Sequence, residues 1–175
     1  MVSLAPDTLR LVQSFASTLG ADDGADLLRT REDAAAWLRA AALLDAAAGL
    51  SNSEHAALLR LRESLRDVLA SHADGRADGR MDGRADAEAA ARLTKALADG
   101  RLVITVAPGS AIQLVSAARA SYPCIVAAIA VAIAEAAACG TWLRLKRCRA
   151  PGCGQVFYDD SPAQAAQHCP AHAGS

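Results

Sequence analysis

The sequence predicts a mainly α-helical protein in two parts: a helical domain over residues 1–140 that contains one β-hairpin, and a small cysteine-rich module over residues 141–175. Three observations lead to this prediction. Apolar residues recur at helical spacing in several segments before residue 99. One run of β-forming residues, 102–106, is followed closely by a Pro-Gly turn. Three of the five cysteines and two of the four histidines lie within the last 28 residues.

The overall composition is that of a globular protein and argues against several classes of function. Hydrophobic residues make up 53% of the 175-residue chain, but 44 residues are alanine, so leucine, valine and isoleucine must supply most of the core. The net charge of −1 argues against a strongly basic nucleic-acid-binding protein. Two Trp, two Tyr and two Phe are too few for an aromatic platform that stacks on single-stranded nucleic acid.

The sequence shows neither a membrane span nor a secretion signal. The longest apolar run, residues 124–134, ends at Glu135, well short of the roughly 20 residues that cross a bilayer. The first ten residues lack the basic start and apolar run of a signal peptide. We therefore expect a cytoplasmic protein with no membrane association.

The first two helices are predicted from periodicity and from the residues that flank them. Apolar residues at helical spacing predict a helix over 7–19 that ends at Gly20. Thr30 with Asp33 forms a capping-box pattern, which opens a second helix. Gly49 is expected to end that helix in a left-handed cap.

A second capping box, Ser51 with Glu54, opens the clearest amphipathic helix of the chain. Arg62 and Arg66 are assigned to its solvated face. Its apolar face is predicted from Leu58, Leu61, Leu65 and Val68 or Leu69.

Residues 73–86 read ADGR-ADGR-MDGR-AD, and we interpret this short repeat as a flexible loop because no copy has apolar residues to bury. Anion binding through Arg76, Arg80 and Arg84 is the alternative, which the balanced charge of each copy disfavours. Helix-forming residues return over 87–98.

A hairpin and a buried helix are predicted next. Pro108-Gly109 suits a type II turn, so residues 102–106 and 112–115 are predicted to pair across a loop that can exceed two residues. The length and apolar composition of residues 122–139 predict a buried helix. Cys124 and Cys139 lie on it without polar neighbours, so we interpret them as small core residues.

The chemistry of the chain is concentrated in its tail. Cys148 and Cys153 flank Pro151-Gly152, a sequence that turns sharply enough to aim two thiolates at one point. Strand-forming residues on either side predict a knuckle at the tip of a hairpin. Ser161-Pro162 is a helix-start pattern that predicts a short helix over 162–168, which would deliver Cys169.

Cys148, Cys153, Cys169 and His172 together offer three thiolates and one imidazole, a donor set that suits tetrahedral Zn²⁺. We predict one zinc ion per chain with a structural role, because protein groups fill all four positions. The module is too small to have a core of its own, so metal binding is expected to supply much of its folding energy. His168 remains the alternative fourth ligand.

The tail resembles the zinc finger of bacterial CGNR-type proteins, in shortened form. The matching residues are Cys148, Cys153-Gly154, Phe157-Tyr158-Asp159, Ser161 and Cys169. Upstream, LVQSFASTL, WLRAAALL, the helix over 54–72 and the hairpin are similar to the α-helical ABATE domain that precedes this finger. The resemblance implies a transcription regulator induced by stress, with DNA as the expected partner. The family's basic helix is replaced by the uncharged sequence PAQAAQH between Ser161 and Cys169. The CGNR segment of the family is also absent.

Two classes of function remain open at this point. DNA contact would depend on one small basic patch, because phosphate binding requires Lys and Arg. That patch consists of Arg144, Lys146, Arg147 and Arg149. The alternative is a zinc-stabilised module that binds a protein, a second copy of the chain or a small ligand, without DNA. No hydrolase triad, paired carboxylates or phosphate loop occurs, so we do not expect an enzyme.

Overall fold

The computed structural model describes residues 5–20, 25–73, 83–109, 111–118 and 121–173, which form five α-helices and two small antiparallel hairpins. The helices are α1 (Asp7–Ala16), α2 (Arg31–Ala40), α3 (Asn52–Ala73), α4 (Gly83–Leu97) and α5 (Ser121–Ala138). The strands are β1 (Leu102–Val106), β2 (Ile112–Ser116), β3 (Leu145–Arg147) and β4 (Val156–Tyr158). The predicted fold class, mainly α-helical with a hairpin and a knuckle hairpin, is confirmed.

Helices α1, α3 and α5 form the centre of the core. Their inward faces carry aliphatic and aromatic side chains that are wholly buried, including Leu9, Phe15, Leu61, Leu65 and Ile129. Burial of each side chain of this size stabilises the fold by about 1.5–3 kcal/mol. The many alanines let the helices approach one another, while these larger residues fill the space between them.

The capping boxes are present, but α2 is shorter than the sequence indicates. The Thr30 hydroxyl accepts a hydrogen bond from the Asp33 backbone N–H, and the Asp33 carboxylate accepts one from Thr30 N–H. The helix ends at Ala40 because Leu43 N–H bonds Leu38 O and Ala42 N–H bonds Arg39 O, which is the Schellman arrangement. Ala42 takes the left-handed position at φ 57°, so the predicted cap at Gly49 is wrong.

Helix α3 begins at the predicted capping box, in which Ser51 N–H donates to Glu54 Oε2 at 2.7 Å and Glu54 N–H donates to Ser51 Oγ at 3.2 Å. The predicted leucines are all buried: Leu58, Leu61, Leu65 and Leu69. The next helix, α4, starts at Gly83, inside the repeat and four residues earlier than expected. Residues 74–82, with Arg76 and Arg80, lie outside the described residues, whereas Arg84 is exposed on α4 and pairs with Glu88.

The predicted hairpin is confirmed, with Ile104 opposite Leu114 at its centre. Gly109 has φ +88°, the value that the third position of a type II turn requires. Both strands are exposed along most of their length. The hairpin is anchored at its base, where a Cβ on Gly100 would lie 2.9 Å from the backbone nitrogen of Ala127 on α5.

Helix α5 is only half buried, which changes the interpretation of its cysteines. One face, which includes Ile125 and Ile129, packs into the core, but Cys124 and Cys139 are exposed. The prediction that they are core residues is wrong, because a helix that is apolar on all sides has no periodicity to show which side faces inward.

Helix α5 is also long and apolar enough to cross a membrane, with 18 residues of mean hydropathy 1.8. The apolar run expected from the sequence was shorter, because Glu135 interrupts it. Within the fold, 44% of this helix is buried, and it packs against α1 and the first hairpin. Core packing therefore accounts for much of its apolar character.

Two arginines assigned to the solvated face of α3 are instead buried. Arg62 is 4% exposed, and its guanidinium binds the Asp26 carboxylate, with Nη2 and Oδ2 2.9 Å apart. This ion pair holds the Asp26 pKa below its usual range, mainly through the hydrogen bond from Arg62, which outweighs the effect of burial. The pair ties α3 to the segment between α1 and α2.

Arg66 connects α3 to the end of α1 and to the C-terminal module. Its guanidinium donates to Ala16 O and Leu19 O, at and just after the carboxyl end of α1, and to Gly154 O at 2.9 Å. The last carbonyls of a helix have no partner within it and carry partial negative charge, so a cation stabilises them. Arg66 therefore fastens the C-terminal module to the helical domain.

Replacing Arg66 with Met is expected to lower the free energy of unfolding by about 2–3 kcal/mol, because it leaves buried carbonyl groups without donors. Urea denaturation of the purified protein measures this. The control is Arg60→Met, at an exposed position on the same helix, which should change the value by less than about 0.5 kcal/mol. Equal stability of the two variants would contradict the assigned role of Arg66.

Candidate metal centre

The predicted knuckle is formed by β3, β4 and the loop between them. The strands pair antiparallel, with Lys146 opposite Phe157. Cys148 N–H donates to Gln155 O at 2.8 Å, and Cys153 N–H donates to Ala150 O at 3.0 Å, so the loop is closed by its own backbone. These bonds place the first two cysteines of the tail side by side.

Glycine at position 154 is favoured for two reasons. Its φ of +62° is strained for residues with a side chain. A Cβ there would also lie 3.2 Å from Nη2 of Arg66, the atom that binds the Gly154 carbonyl. The Cys-Gly pair at 153–154 therefore serves both the knuckle and its contact with the helical domain.

The two faces of this hairpin belong to different clusters. Leu145 and Val156 are buried in the main core with the residues of α1, α3 and α5. Phe157 points the other way, into a small cluster with the cysteines of the tail. His72 on α3 adds a hydrogen bond from Nδ1 to Leu145 O at 2.9 Å. The hairpin is thus anchored in the helical domain on one side and carries the cysteine cluster on the other.

The short helix predicted over 162–168 is absent, and the segment forms turns instead. The Ser161 hydroxyl donates to Asp159 Oδ1 at 2.6 Å instead of capping a helix. Its carbonyl accepts from Arg144, and the Gln164 carbonyl accepts from Lys146. Gln164 has φ +52°, which no α-helix contains. The prediction was wrong because these carbonyls bind side-chain cations from distant positions.

Lys146 and Asp159 form a buried ion pair at the centre of this arrangement. They are 2% and 2% exposed, and Nζ lies 2.8 Å from Oδ2. Lys146 also donates to the carbonyls of Gln164 and Ala166, at 2.6 and 3.1 Å. Burial acts to raise the Asp159 pKa, but the Lys146 ammonium and the hydrogen bonds from Ser161 and Ala166 hold it below its usual range.

Two of the four residues expected to contact nucleic acid therefore have structural roles. Lys146 is buried, and one guanidinium nitrogen of Arg144 donates to the carbonyls of Asp159 and Ser161 at 3.0 and 2.9 Å. Arg147 is partly exposed, and Arg149 is exposed on the knuckle. The structure thus separates the basic patch into cations that bind the tail and cations that face solvent.

The four predicted metal ligands come together. The donor atoms of Cys148, Cys153, Cys169 and His172 all lie within 4.8 Å of one another. The sulfur atoms of Cys153 and Cys169 are 3.8 Å apart, and His172 Nδ1 lies 3.3 Å from Cys169 Sγ and 3.8 Å from Cys148 Sγ. Two sulfur atoms bound to one tetrahedral zinc at ~2.3 Å would be about 3.8 Å apart. The donor set and its spacing fit zinc.

The alternative ligand is not supported. Among the described residues of the tail, 141–173, His168 does not join the cluster, and His172 supplies the imidazole. A bound zinc ion would fasten the knuckle to the tail, and protein groups would fill its four positions. The site is therefore a structural one for a single zinc ion.

The thiols differ in how readily they lose their protons. The pKa of Cys153 is raised to about 11, mainly by burial and in part by the adjacent thiols of Cys148 and Cys169. Burial also acts to raise the pKa of Cys148, but backbone N–H groups of Cys169 and Ala150 and the adjacent thiols lower it overall. Of these two thiols, Cys148 is the better prepared to bind metal as a thiolate, and metal binding must release the proton of Cys153.

Family comparison agrees with this geometry. Residues 9–140 match the ABATE family, described as "Putative stress-induced transcription regulator". The chain belongs to the ABATE family. Residues 144–173 match the CGNR zinc finger, so this ABATE protein carries the finger that its cysteines indicate. No curated protein shows significant sequence similarity to the chain.

The sequence did not reveal the residues that support the zinc finger from outside it. Arg66 lies 88 positions from Gly154, and Lys146 lies 13 positions from Asp159, so no local pattern relates these partners.

Replacing Cys153 with Ser is expected to abolish stoichiometric zinc binding, because it removes one of four ligands and the affinity of such sites depends on all of them. Zinc content after dialysis, measured by mass spectrometry of the metal, gives the result. Cys124→Ser, at an exposed cysteine of α5, should retain one zinc per chain. Zinc loss from that control would overturn the ligand assignment.

Replacing Asp159 with Asn is expected to lower the free energy of unfolding at pH 7 by about 3 kcal/mol, because the buried Lys146 ammonium loses its counter-charge. Chemical denaturation of the zinc-loaded protein measures the effect, and Asp45→Asn, at an exposed position between α2 and α3, is the control.

The same variant should show a defined pH dependence. The folded-state pKa of Asp159 is depressed, so its stabilisation is present above its ordinary value of 3.8 and is lost as the pH falls through the folded-state value. The difference between D159N and the unsubstituted protein should therefore shrink below about pH 4. A constant difference over the whole range would show that the charge of Asp159 is not what stabilises the finger.

Proposed function

We propose that the protein is a zinc-stabilised transcription regulator that contacts DNA through its finger with only a few phosphate contacts per chain. The main support is the closed site of three cysteines and one histidine in a chain of the ABATE family. Four protein ligands leave no position for a reactive water, so the proposal includes no enzymatic activity. It places the protein in the cytoplasm, where reducing conditions preserve zinc thiolates.

Arg147 and Arg149 are the proposed phosphate contacts. The finger contains four cationic side chains, but Lys146 is buried and Arg144 binds the tail. Arg149 is exposed, and the Arg147 side chain is 35% exposed, with Asp67 at 4.0 Å as an alternative partner. The electrostatic part of DNA affinity is therefore small, since each phosphate contact contributes separately to counterion release.

Salt titration of duplex DNA binding, followed by fluorescence anisotropy, tests this proposal. We expect the logarithm of the binding constant to fall with the logarithm of salt concentration with a slope of about −2 per chain. The double variant Arg147→Ala, Arg149→Ala should bring the slope close to zero. Arg84→Ala, at a position 88% exposed on α4, is the control and should leave the slope unchanged.

Absence of salt-dependent binding at low salt would overturn the DNA contact. Binding that the double variant leaves intact would show that these two arginines are not the contacts.

A second function, a zinc-stabilised interaction protein that does not bind DNA, is favoured by the burial of Lys146 and by the exposed apolar hairpin. In that case the finger acts as a support for the helical domain, and the hairpin is the recognition surface. Lack of DNA binding by a chain that retains one zinc and its full stability would favour this second function.

A further inference from the structure

The β1–β2 hairpin exposes many large apolar side chains, whereas the strands of the β3–β4 hairpin are largely buried. Its large exposed side chains, with their exposed fractions, are Leu102 37%, Val103 41%, Ile104 68%, Val106 69%, Ile112 72%, Leu114 39% and Val115 36%. One face of the hairpin carries five of them, at positions 102, 104, 106, 112 and 114, and Val103 and Val115 lie on the opposite face, because side chains alternate along a strand. Neither strand contains a charged residue. Such a surface is typical of a contact with another protein.

The outer edge of β1 offers unpaired backbone groups as well. Two backbone hydrogen bonds at the ends of the hairpin show which residues bond across it. Ala107 N–H donates to Ala111 O, and Ala117 N–H donates to Arg101 O. Since bonded positions alternate in an antiparallel pair, Val103 and Thr105 bond to β2. The N–H and C=O groups of the intervening residues point to the open edge. These residues are Leu102, Ile104 and Val106.

This edge lacks the features that normally prevent strand pairing. Proteins protect exposed edges with lysine, proline or a bulge, or cover them with another element. Within the part of the chain that the structure describes, β1 has β2 as its one strand partner, and its five residues are Leu-Val-Ile-Thr-Val. An edge of this kind offers a template on which a further strand can pair.

A second copy of this hairpin suits the open edge of β1. Side chains of Leu102, Ile104 and Val106 would pack beside their counterparts across the new strand pair, and the apolar residues on the same face of β2 would extend the apolar face of the joined sheet. The apolar surface also continues from β2 into an open groove of about 600 Å³ between α1 and α5, lined in part by Leu11 and Val131. The strands themselves bring no like charges together when two copies meet along β1, and the acidic residues Asp7 and Glu135 lie in the groove, away from that edge.

We propose that the protein forms a symmetric homodimer in which β1 of one protomer pairs antiparallel with β1 of its partner. A two-fold axis at Ile104 sets this residue opposite Ile104 of the partner, and Leu102 opposite Val106 of the partner. The outward backbone groups of both strands then bond one another, and the two hairpins become one four-stranded sheet. An antiparallel strand edge is self-complementary, as a two-fold interface requires. This dimer does not depend on DNA binding.

The oligomeric state of the full-length, zinc-loaded chain tests the proposal. Sedimentation equilibrium should give twice the chain mass of 18.0 kDa. Ile104→Lys sets two ammonium groups opposite each other at the axis and should weaken the dimer by roughly 100-fold. Leu27→Lys, at a position 53% exposed outside the hairpin, is the matched control and should remain dimeric.

A charge-complementary pair separates loss of pairing from loss of structure. Ile104→Lys mixed with Ile104→Glu should restore the dimer mass, because opposite charges then face each other at the axis. Monomeric unsubstituted protein at every soluble concentration, or a dimer that Ile104→Lys leaves intact, overturns the proposal. Failure of the mixture to dimerise also overturns the β1 register.

Crosslinking tests the register directly. In a chain with Cys124→Ser and Cys139→Ser, Ile104→Cys should be linked to its partner by a short bismaleimide. Ile112→Cys is equally exposed, but in the proposed sheet the two β2 strands lie three strand spacings apart, about 14 Å, and should not be linked. The reverse pattern would overturn the pairing through β1.

Discussion

Convergence of four ligand atoms on one point is the constraint on which the C-terminal fifth of the structure depends. The knuckle brings two thiolates, and the tail must return to supply a thiolate and an imidazole within 4.8 Å of them. Twenty-one residues separate Cys148 from Cys169, yet Cys169 N–H donates to Cys148 Sγ at 3.3 Å. Residues 162–168, which lie between them, form no helix. They follow an irregular path with a turn at its start, and the buried pair of Lys146 and Asp159 holds this path in place.

The zinc finger and the helical domain share interactions that make their stabilities interdependent. Leu145 and Val156 lie in the main core, and Arg66 binds carbonyls at the end of α1 and in the knuckle. A ligand that binds the folded state stabilises everything that folds with it. Zinc binding therefore stabilises the helical domain as well as the finger, because the two matched units of this chain share a common core.

The distribution of charge and apolar surface suggests how the two units divide their roles. The finger uses Lys146 and Arg144 internally, and the solvent-facing cations are few. The helical domain, in contrast, carries an uncharged hairpin whose strands are exposed. The helical domain therefore presents an uncharged apolar hairpin to solvent, and the proposed DNA contact involves few charges on each chain.

Local patterns in the sequence were enough to predict most of the elements and the metal ligands. Capping boxes at Thr30 and Ser51, the leucine spacing of α3, and the Pro-Gly turn of the hairpin are short-range signals. Cysteine spacing predicted the zinc site because zinc accepts few donor types. The match to ABATE and to the CGNR finger was also visible in short motifs.

Tertiary structure alone decided the burial of Arg62, Arg66 and Lys146, the exposure of Cys124 and Cys139, and the loss of the helix after Ser161. Each depends on a partner that is distant in sequence. A buried cation is stable only where carbonyls or carboxylates converge on it, and that convergence exists only in the folded chain. An alanine-rich helix such as α5 likewise acquires an inner side only when its neighbours pack against it. The sequence by itself therefore determined which elements and ligands form, and the packing determined which charges became part of the interior.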